Sequence, residues 1–364
     1  MSERVDGQHA GLDYHLQLLA DPWRVSAWKR AIEAMIRQGD TVLDAGTGLG
    51  TMAVWAARAG AGRVIAVESA DVVELAREIV ARAGVDDVVE VVAADLATVP
   101  PEPVDVVLAD FVGRLLPDAA MRRAVTAAGG FATERTRFLP ARVQWHAAAL
   151  ADVPVPALDR WSHPLLGVDL SPALARALHV PWTLHVPTDA LAGPPAPLAT
   201  LTPPDLPEEV QVEASLPVRA GVCRGVLVWF AADLAPGVTL DTGPGRRTFW
   251  GQVLWAAPRT LVPDGELRVT ATVRSGVEIA MDWHIAWPDG SEPARTPEAR
   301  PDQLLAAGLP GLALPELVAD GIPGARAPLA ELITALVQVG DPLAATLLAT
   351  YERRFGPHPR HRRG

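Results

Sequence analysis

The hydrophobic positions change their period partway along the chain. In RVSAWKRAIEAMIR (24–37), Val25, Trp28, Ile32 and Ile36 recur at the spacing of one helix face. TVLDAG (41–46) predicts a short strand ending in glycine, 50–59 a helical run, and RVIAVE (63–68) a second strand. DVVELAREIVARAG (71–84) predicts a helix closed by its glycine. VVEVVAAD (88–95) and VDVVLAD (104–110) read as strands with near-continuous apolar cores, followed by a helix over 114–128. Apolar strands alternating with helices predict a parallel sheet covered on both faces. Residues 129–140 leave this pattern through a Gly-Gly break toward Pro140.

Beyond about residue 140 the period shortens to that of strands. VQWHAAAL, WTLHV, VQVEASLPV, GVLVWFAADL, TFWGQVLWAA, ELRVTATVR and IAMDWHIAW are alternating or apolar segments between Pro and Gly turns. They predict an antiparallel sandwich or barrel, interrupted by one helical stretch, SPALARALH (171–179). From about 291 a Pro-rich stretch leads to helical pieces, the last over 329–355. Its apolar stripe of Leu332, Ile333, Leu336 and Val337 is expected to pack on the barrel or on a partner subunit. The expected organisation is a helical segment (1–38), a Rossmann-like α/β domain (39–140), a β-barrel or sandwich domain (141–290) and a helical C-terminal extension (291–364).

Composition narrows the function classes. The 364 residues carry 43 acids against 32 bases, a formal net charge of -11, which speaks against gripping a nucleic-acid backbone and tolerates a cationic partner. The single cysteine, Cys223, permits neither an intramolecular disulfide nor a cysteine zinc cluster, and no metal site is expected. The N-terminus MSERVDGQHA lacks a signal sequence, and no uncharged apolar run reaches the 18 or so residues a membrane helix needs. A cytoplasmic protein without membrane or nucleic-acid partners is therefore expected.

The chemistry concentrates in VLDAGTGLG. This segment ends a strand, opens a helix, and places Gly46, Gly48 and Gly50 where a ligand can approach the backbone closely. Thr51 stands where the dinucleotide fingerprint has its last glycine, and Asp44 stands two residues before the first. An acid at the loop entrance suits a ligand with a charged amino group, such as S-adenosylmethionine. Glu68 ends the second strand, 24 residues on, the expected place for a carboxylate that takes both ribose hydroxyls. Asp95, ending the third strand, is a candidate for the adenine amino group or else a turn and N-cap residue. Thr47 is grouped with the loop, Ser69 with Glu68, and Leu96 with Asp95 as cofactor-side candidates.

HLQLLADPWRVSAWKRAI (15–32) resembles the helix that precedes the core in the protein arginine methyltransferase family. The matching residues are His15, Leu18, Leu19, Asp21, Arg24 and Trp28. The resemblance implies that Arg24 binds the cofactor's methionine carboxylate, a guanidinium–carboxylate clamp, with His15 on the same side. LADFVGRLLPDAAM (108–121) is similar to the family's acceptor loop, WSHPLLGVDLSPALARALH (161–179) to its dimerisation arm, and TGPGRRTFWGQVLWAAP (242–258) to its Thr-His-Trp loop. The likeness covers about residues 11–290 and implies a possible homodimer.

The departures lie on the acceptor side. The first family glutamate corresponds to Asp110, and the second falls on Ala119, with Asp118 beside it. Phe249 replaces the loop histidine, while Thr248 and Trp250 persist. Asp110, Asp118 and Trp250 are thus the expected catalytic residues. The expected activity is S-adenosylmethionine-dependent N-methyl transfer to an amine or other cationic nitrogen of a peptide or protein. A natural-product tailoring enzyme with a small-molecule or non-arginine acceptor is the near alternative, and an inactive scaffold the distant one.

Overall fold

The computed structural model describes residues 11–291 apart from 112, 114, 163–168, 170 and 277–278, together with Leu348. The helices expected over 329–355, with their apolar stripe, lie outside the described residues apart from Leu348.

Two helices lead in, α1 (Leu12–Leu19) and α2 (Pro22–Met35). Asp21 caps α2 by accepting from the Arg24 backbone N–H at 3.0 Å, and Pro22 supplies a first-turn residue that needs no donor. Then follow β1 (Thr41–Ala45), α3 (Thr51–Arg58), β2 (Arg63–Glu68), α4 (Val73–Ala83), β3 (Val89–Ala93), β4 (Val106–Leu108), α5 (Ala119–Gly129) and β5 (Arg137–Leu139). The five strands pair in parallel in the order β3-β2-β1-β4-β5. Val42, Leu43, Val64, Ala66, Val106, Val107 and Leu108 are all sealed, as a sheet covered on both faces requires. The chain builds outward from β1 to β3 and then reverses to β4, so the crevice at the reversal lies beyond the carboxyl ends of β1 and β4. The helix expected over 114–128 begins only at Ala119. The described residues between Ala109 and Asp118 are not helical, because Pro117 disfavours a helical Leu116 and Asp118 caps the new helix.

The second half is antiparallel. Its elements are β6 (Arg142–Ala151), α6 (Pro156–Asp159), α7 (Ser171–Ala177), β7 (Trp182–Leu184), β8 (Ala196–Leu201), β9 (Glu209–Val218), β10 (Gly221–Ala235), β11 (Val238–Asp241), β12 (Gln252–Val262), β13 (Gly265–Arg274) and β14 (Ala280–Ala286). One sheet runs β7-β12-β10-β6-β8 with β11 against β10, and another runs β14-β13-β9. Trp145, Phe230, Trp255, Leu267 and Val269 fill the interior between them. That core is continuous with Trp28, Ile32 and Val42 of the first half, since α2 packs on β10 and β11. Leu158 and Ala177 of the helical insert pack outside the larger sheet on Leu227, Trp229 and Leu254. The expected strand from Thr248 starts later, at Gln252, which leaves Thr248, Phe249 and Trp250 in a loop facing the crevice side of α2. The strands β5, β8 and β11 carry too little alternation to be read from sequence. No helix of the described residues is long and apolar enough to cross a membrane.

Candidate active site

The crevice is lined from three directions: the loop after β1, the loop after β4, and the α1–α2 segment. In the first, Gly46 has φ +67° and a Cβ there would stand 2.6 Å from Phe111 Cζ. Gly48 has φ +56° and a Cβ there would meet the His15 ring at 2.8 Å. Both positions disfavour side chains by backbone conformation, and an added Cβ would also have to displace the Phe111 or His15 ring. Gly50, with φ +75°, is the N-cap of α3.

Asp44 is buried at the end of β1 and accepts from Thr47 Oγ1 at 2.5 Å. Burial pushes its carboxyl from 3.8 up to about 6; the Thr47 hydroxyl and the Ala53 backbone N–H counter this, and the charges of Glu68 and Asp110 add to it. Glu68 is knotted to backbone: its Oε2 accepts from Gly48 N at 2.9 Å, and its Oε1 from Ser69 N at 2.8 Å and Ala70 N at 2.9 Å. Ser69 thus meets Glu68 through its N–H. Asp95 is exposed and caps a single 3-10 turn by accepting from Ala97 N at 2.9 Å. The neighbouring Leu96 side chain is buried in the core beneath.

Asp110 follows β4 and meets α2. Its Oδ2 accepts from Arg24 Nε at 2.6 Å and Nη2 at 2.5 Å, and its Oδ1 from Trp28 Nε1 at 3.1 Å. Arg24 and Trp28 lie one turn apart on α2, so both reach the same carboxylate from one helix face. The pair is largely buried, with side-chain exposures of 9% and 12%. The remaining Arg24 nitrogen, Nη1, donates to the Leu18 carbonyl at 3.3 Å. Asp118 accepts from Met121 N at 2.9 Å as the cap of α5, so one of its oxygens has a structural task.

Aromatic rings from α1 and the loop before β12 pack together nearby. Tyr14 meets Phe249 edge to face at 5.4 Å between centroids, Phe249 meets Trp250 at 5.8 Å, and Trp250 meets Phe230 at 5.3 Å. Tyr14 also meets the His15 ring at 5.5 Å. The Tyr14 hydroxyl is pushed well above its ordinary value, first by burial and then by Asp110 and Asp118, with Arg24 acting in the other direction. Asp21 fastens this wall to α2: one oxygen caps the helix while Oδ2 accepts from the Phe249 backbone N–H at 2.7 Å.

The structure therefore brings Asp44, Thr47, Gly48, Glu68, His15, Arg24 and Asp110 around one crevice, with Phe249 and Trp250 beside it. Asp118 shares the surroundings of Tyr14, whereas Asp95 stands at the sheet's third strand. Sequence reasoning did not single out Asp21, Phe111 or the Trp28 indole N–H as parts of the site. The four-residue step from Arg24 to Trp28 was the available signal for the last. The donors and acids present fit S-adenosylmethionine. A buried carboxylate lifted to about 6 gains from a nearby ammonium, Glu68 is an acceptor for hydroxyls, and Arg24 is a donor for a carboxylate.

Comparison with known proteins bears on the family and the fold. The family described as a methyltransferase domain matches residues 42–130. Protein arginine N-methyltransferase 6 of Xenopus laevis is 30% identical over 272 residues, covering 68% of this chain and 78% of the relative. An arginine N(omega)-methyltransferase of Streptomyces achromogenes subsp. streptozoticus is 29% identical over 255 residues, covering 66% and 69%. Rice protein arginine N-methyltransferase PRMT10 is 40% identical over 107 residues, which span 28% of either chain. Among solved structures, the Trypanosoma brucei PRMT1 enzyme–prozyme heterotetrameric complex with AdoHcy superposes with a TM-score of 0.69 at 22% identity, covering 79% of this chain and 97% of that one. A PRMT6 structure with SAH gives 0.62 at 20% identity, covering 76% and 100%. At these identities the structural likeness concerns the fold.

Proposed function

The chain belongs to the protein arginine methyltransferase family, and from that premise we propose that it transfers a methyl group from S-adenosylmethionine to an amine or other cationic nitrogen of a peptide or protein. The observation that carries this reading is the asymmetry of the acceptor side. One carboxylate, Asp110, is held in the crevice by Arg24 and Trp28, while the second acidic position of the family loop is Ala119. A planar guanidinium bracketed by two acids loses half of its holding charge there. A compact amine still finds one carboxylate.

Bound S-adenosylmethionine supplies an electrophilic methyl group on a sulfonium. The residues do the rest by placement. Asp44 would take the cofactor's ammonium, Glu68 its ribose hydroxyls and Arg24 its carboxylate, with His15 against Gly48 closing the loop. Asp110 orients the acceptor nitrogen and takes up the proton that nitrogen loses as the new bond forms. Phe249, Trp250 and Tyr14 exclude water and favour the uncharged, nucleophilic form of an amine.

A second reading, a natural-product tailoring enzyme with a small-molecule acceptor, is supported by Phe249 in place of the loop histidine and by a relative whose name specifies arginine without specifying a protein. The insert over 161–179 would pair two copies, which sedimentation tests. Transfer to an amine-terminated peptide should exceed transfer to an arginine-rich peptide; equal or better transfer to arginine sinks the acceptor argument. Absence of S-adenosylhomocysteine binding by calorimetry would leave only a scaffold. Asp110→Asn should abolish transfer while the protein still binds cofactor.

A further inference from the structure

The start of α5 is not free to supply a second carboxylate to the crevice. Ala119 carries no side-chain oxygen, and its backbone N–H donates to the Gly276 carbonyl at 2.7 Å. Ser275 Oγ donates to the Pro117 carbonyl at 2.9 Å, so the residue before Asp118 is fastened to the same segment after β13. Asp118 itself accepts from the Met121 N–H at 2.9 Å as the helix cap. Sliding the loop by one residue, to bring Asp118 into the place of Ala119, breaks all three bonds. A second partner for a nitrogen held by Asp110 therefore has to come from another element.

Tyr14 of α1 is placed to be that partner. Its ring meets Phe249 edge to face at 5.4 Å and His15 at 5.5 Å, two contacts that fix its plane. Its hydroxyl lies within the fields of Asp110, Asp118 and Arg24. Burial, ahead of the two acids, pushes its ionisation well above the ordinary value, so the phenol stays neutral and keeps lone pairs that accept. We propose that the Tyr14 hydroxyl is the second holder of the acceptor nitrogen, a neutral oxygen that accepts one N–H while Asp110 accepts another. This rests on the N-methyltransferase reading above. The arrangement suits a primary amine, whose two N–H groups go to two oxygens and whose lone pair is left for the methyl group. That lone pair forms the new C–N bond, the C–S electrons stay on sulfur, and the released proton goes to Asp110 while Tyr14 keeps its own. After one transfer the nitrogen, in its nucleophilic form, has a single N–H. Asp110 takes it as the charged and stronger acceptor, and Tyr14 receives none. The hydroxyl thus serves the first methyl transfer and not a second.

Steady-state transfer to a peptide bearing a primary amine, and to the same peptide monomethylated on that nitrogen, tests this. Tyr14→Phe keeps the ring against Phe249 and His15 and removes only the oxygen. For the primary amine, kcat/KM should fall about tenfold, the loss of one hydrogen bond to the reacting nitrogen. For the methylated peptide it should change by less than about threefold, and S-adenosylhomocysteine affinity by calorimetry should stay within about twofold of wild type. Where the methylated peptide is not turned over, its inhibition constant against the primary amine serves the same comparison. Undiminished transfer to the primary amine in Tyr14→Phe, or an equal loss on both peptides, overturns the role of Tyr14 and leaves the methyltransferase reading standing. A parallel loss of S-adenosylhomocysteine binding also overturns it, because the hydroxyl then serves the cofactor. Wild type that binds S-adenosylhomocysteine but methylates neither peptide overturns the acceptor reading and this inference with it.

Discussion

Asp44 makes the electrostatics of the proposed cofactor site measurable. Lifting its carboxyl from 3.8 to about 6 corresponds to about 3 kcal/mol against the charged form at neutral pH. Burial is the main cause, with Glu68 and Asp110 adding like charge. The sign follows from the direction. A buried acid whose folded-state value is raised costs stability when charged, so the cost is fully present above pH 6 and is relieved as pH falls through 6 toward 3.8. On the proposed reading the cofactor ammonium compensates that charge. Returning the carboxyl to about 4 in the complex makes S-adenosylhomocysteine binding about tenfold tighter at pH 7 than at pH 5, with proton release greatest near pH 5. Calorimetry in two buffers of different ionisation enthalpy reads both quantities. Asp44→Asn should bind more weakly at pH 7 and lose the pH dependence, while its melting temperature at pH 7 holds or rises because a buried charge is gone. A pH-independent affinity in wild type, or the same tenfold dependence in Asp44→Asn, refutes the assignment of Asp44 to the ammonium.

Glu68→Ala removes the acceptor for three backbone N–H groups and, on the proposed reading, for the ribose, so cofactor affinity should fall by about one to two orders of magnitude by calorimetry. Asp21→Ala leaves the Arg24 and Phe249 N–H groups without their carboxylate and should cost about 2 kcal/mol in denaturant unfolding, whereas Asp21→Asn should recover part of it. Gly46→Ala would force a Cβ to within 2.6 Å of Phe111 at positive φ, and should lower both melting temperature and cofactor affinity; unchanged values would show that Phe111 moves aside freely. Ala119→Glu restores a second acid at the start of α5, so transfer to an arginine-rich peptide should rise relative to an amine-terminated one.

The hydrophobic period determined the class of each half by itself. A sheet buried on both faces has to be made of strands like RVIAVE and VDVVLAD, and no long-range information is needed to see it. The glycine loop after β1 was equally legible, because close backbone approach and positive φ demand glycine at named positions. Weakly patterned strands such as β5 and β8 were not, since their side chains are set by what the neighbouring strands and loops leave room for. Nor was the delayed start of α5, which depends on Asp118 rather than on apolar spacing. The roles of Asp21, Trp28 and Phe111 emerge only when segments 65 to 228 residues apart meet. The sequence alone determined that acids and an arginine stand at strand ends and on one helix. Which of them touch, and that Arg24 spends its charge on Asp110, was decided by the tertiary structure, because a pairing between groups far apart in sequence has no signature in local periodicity.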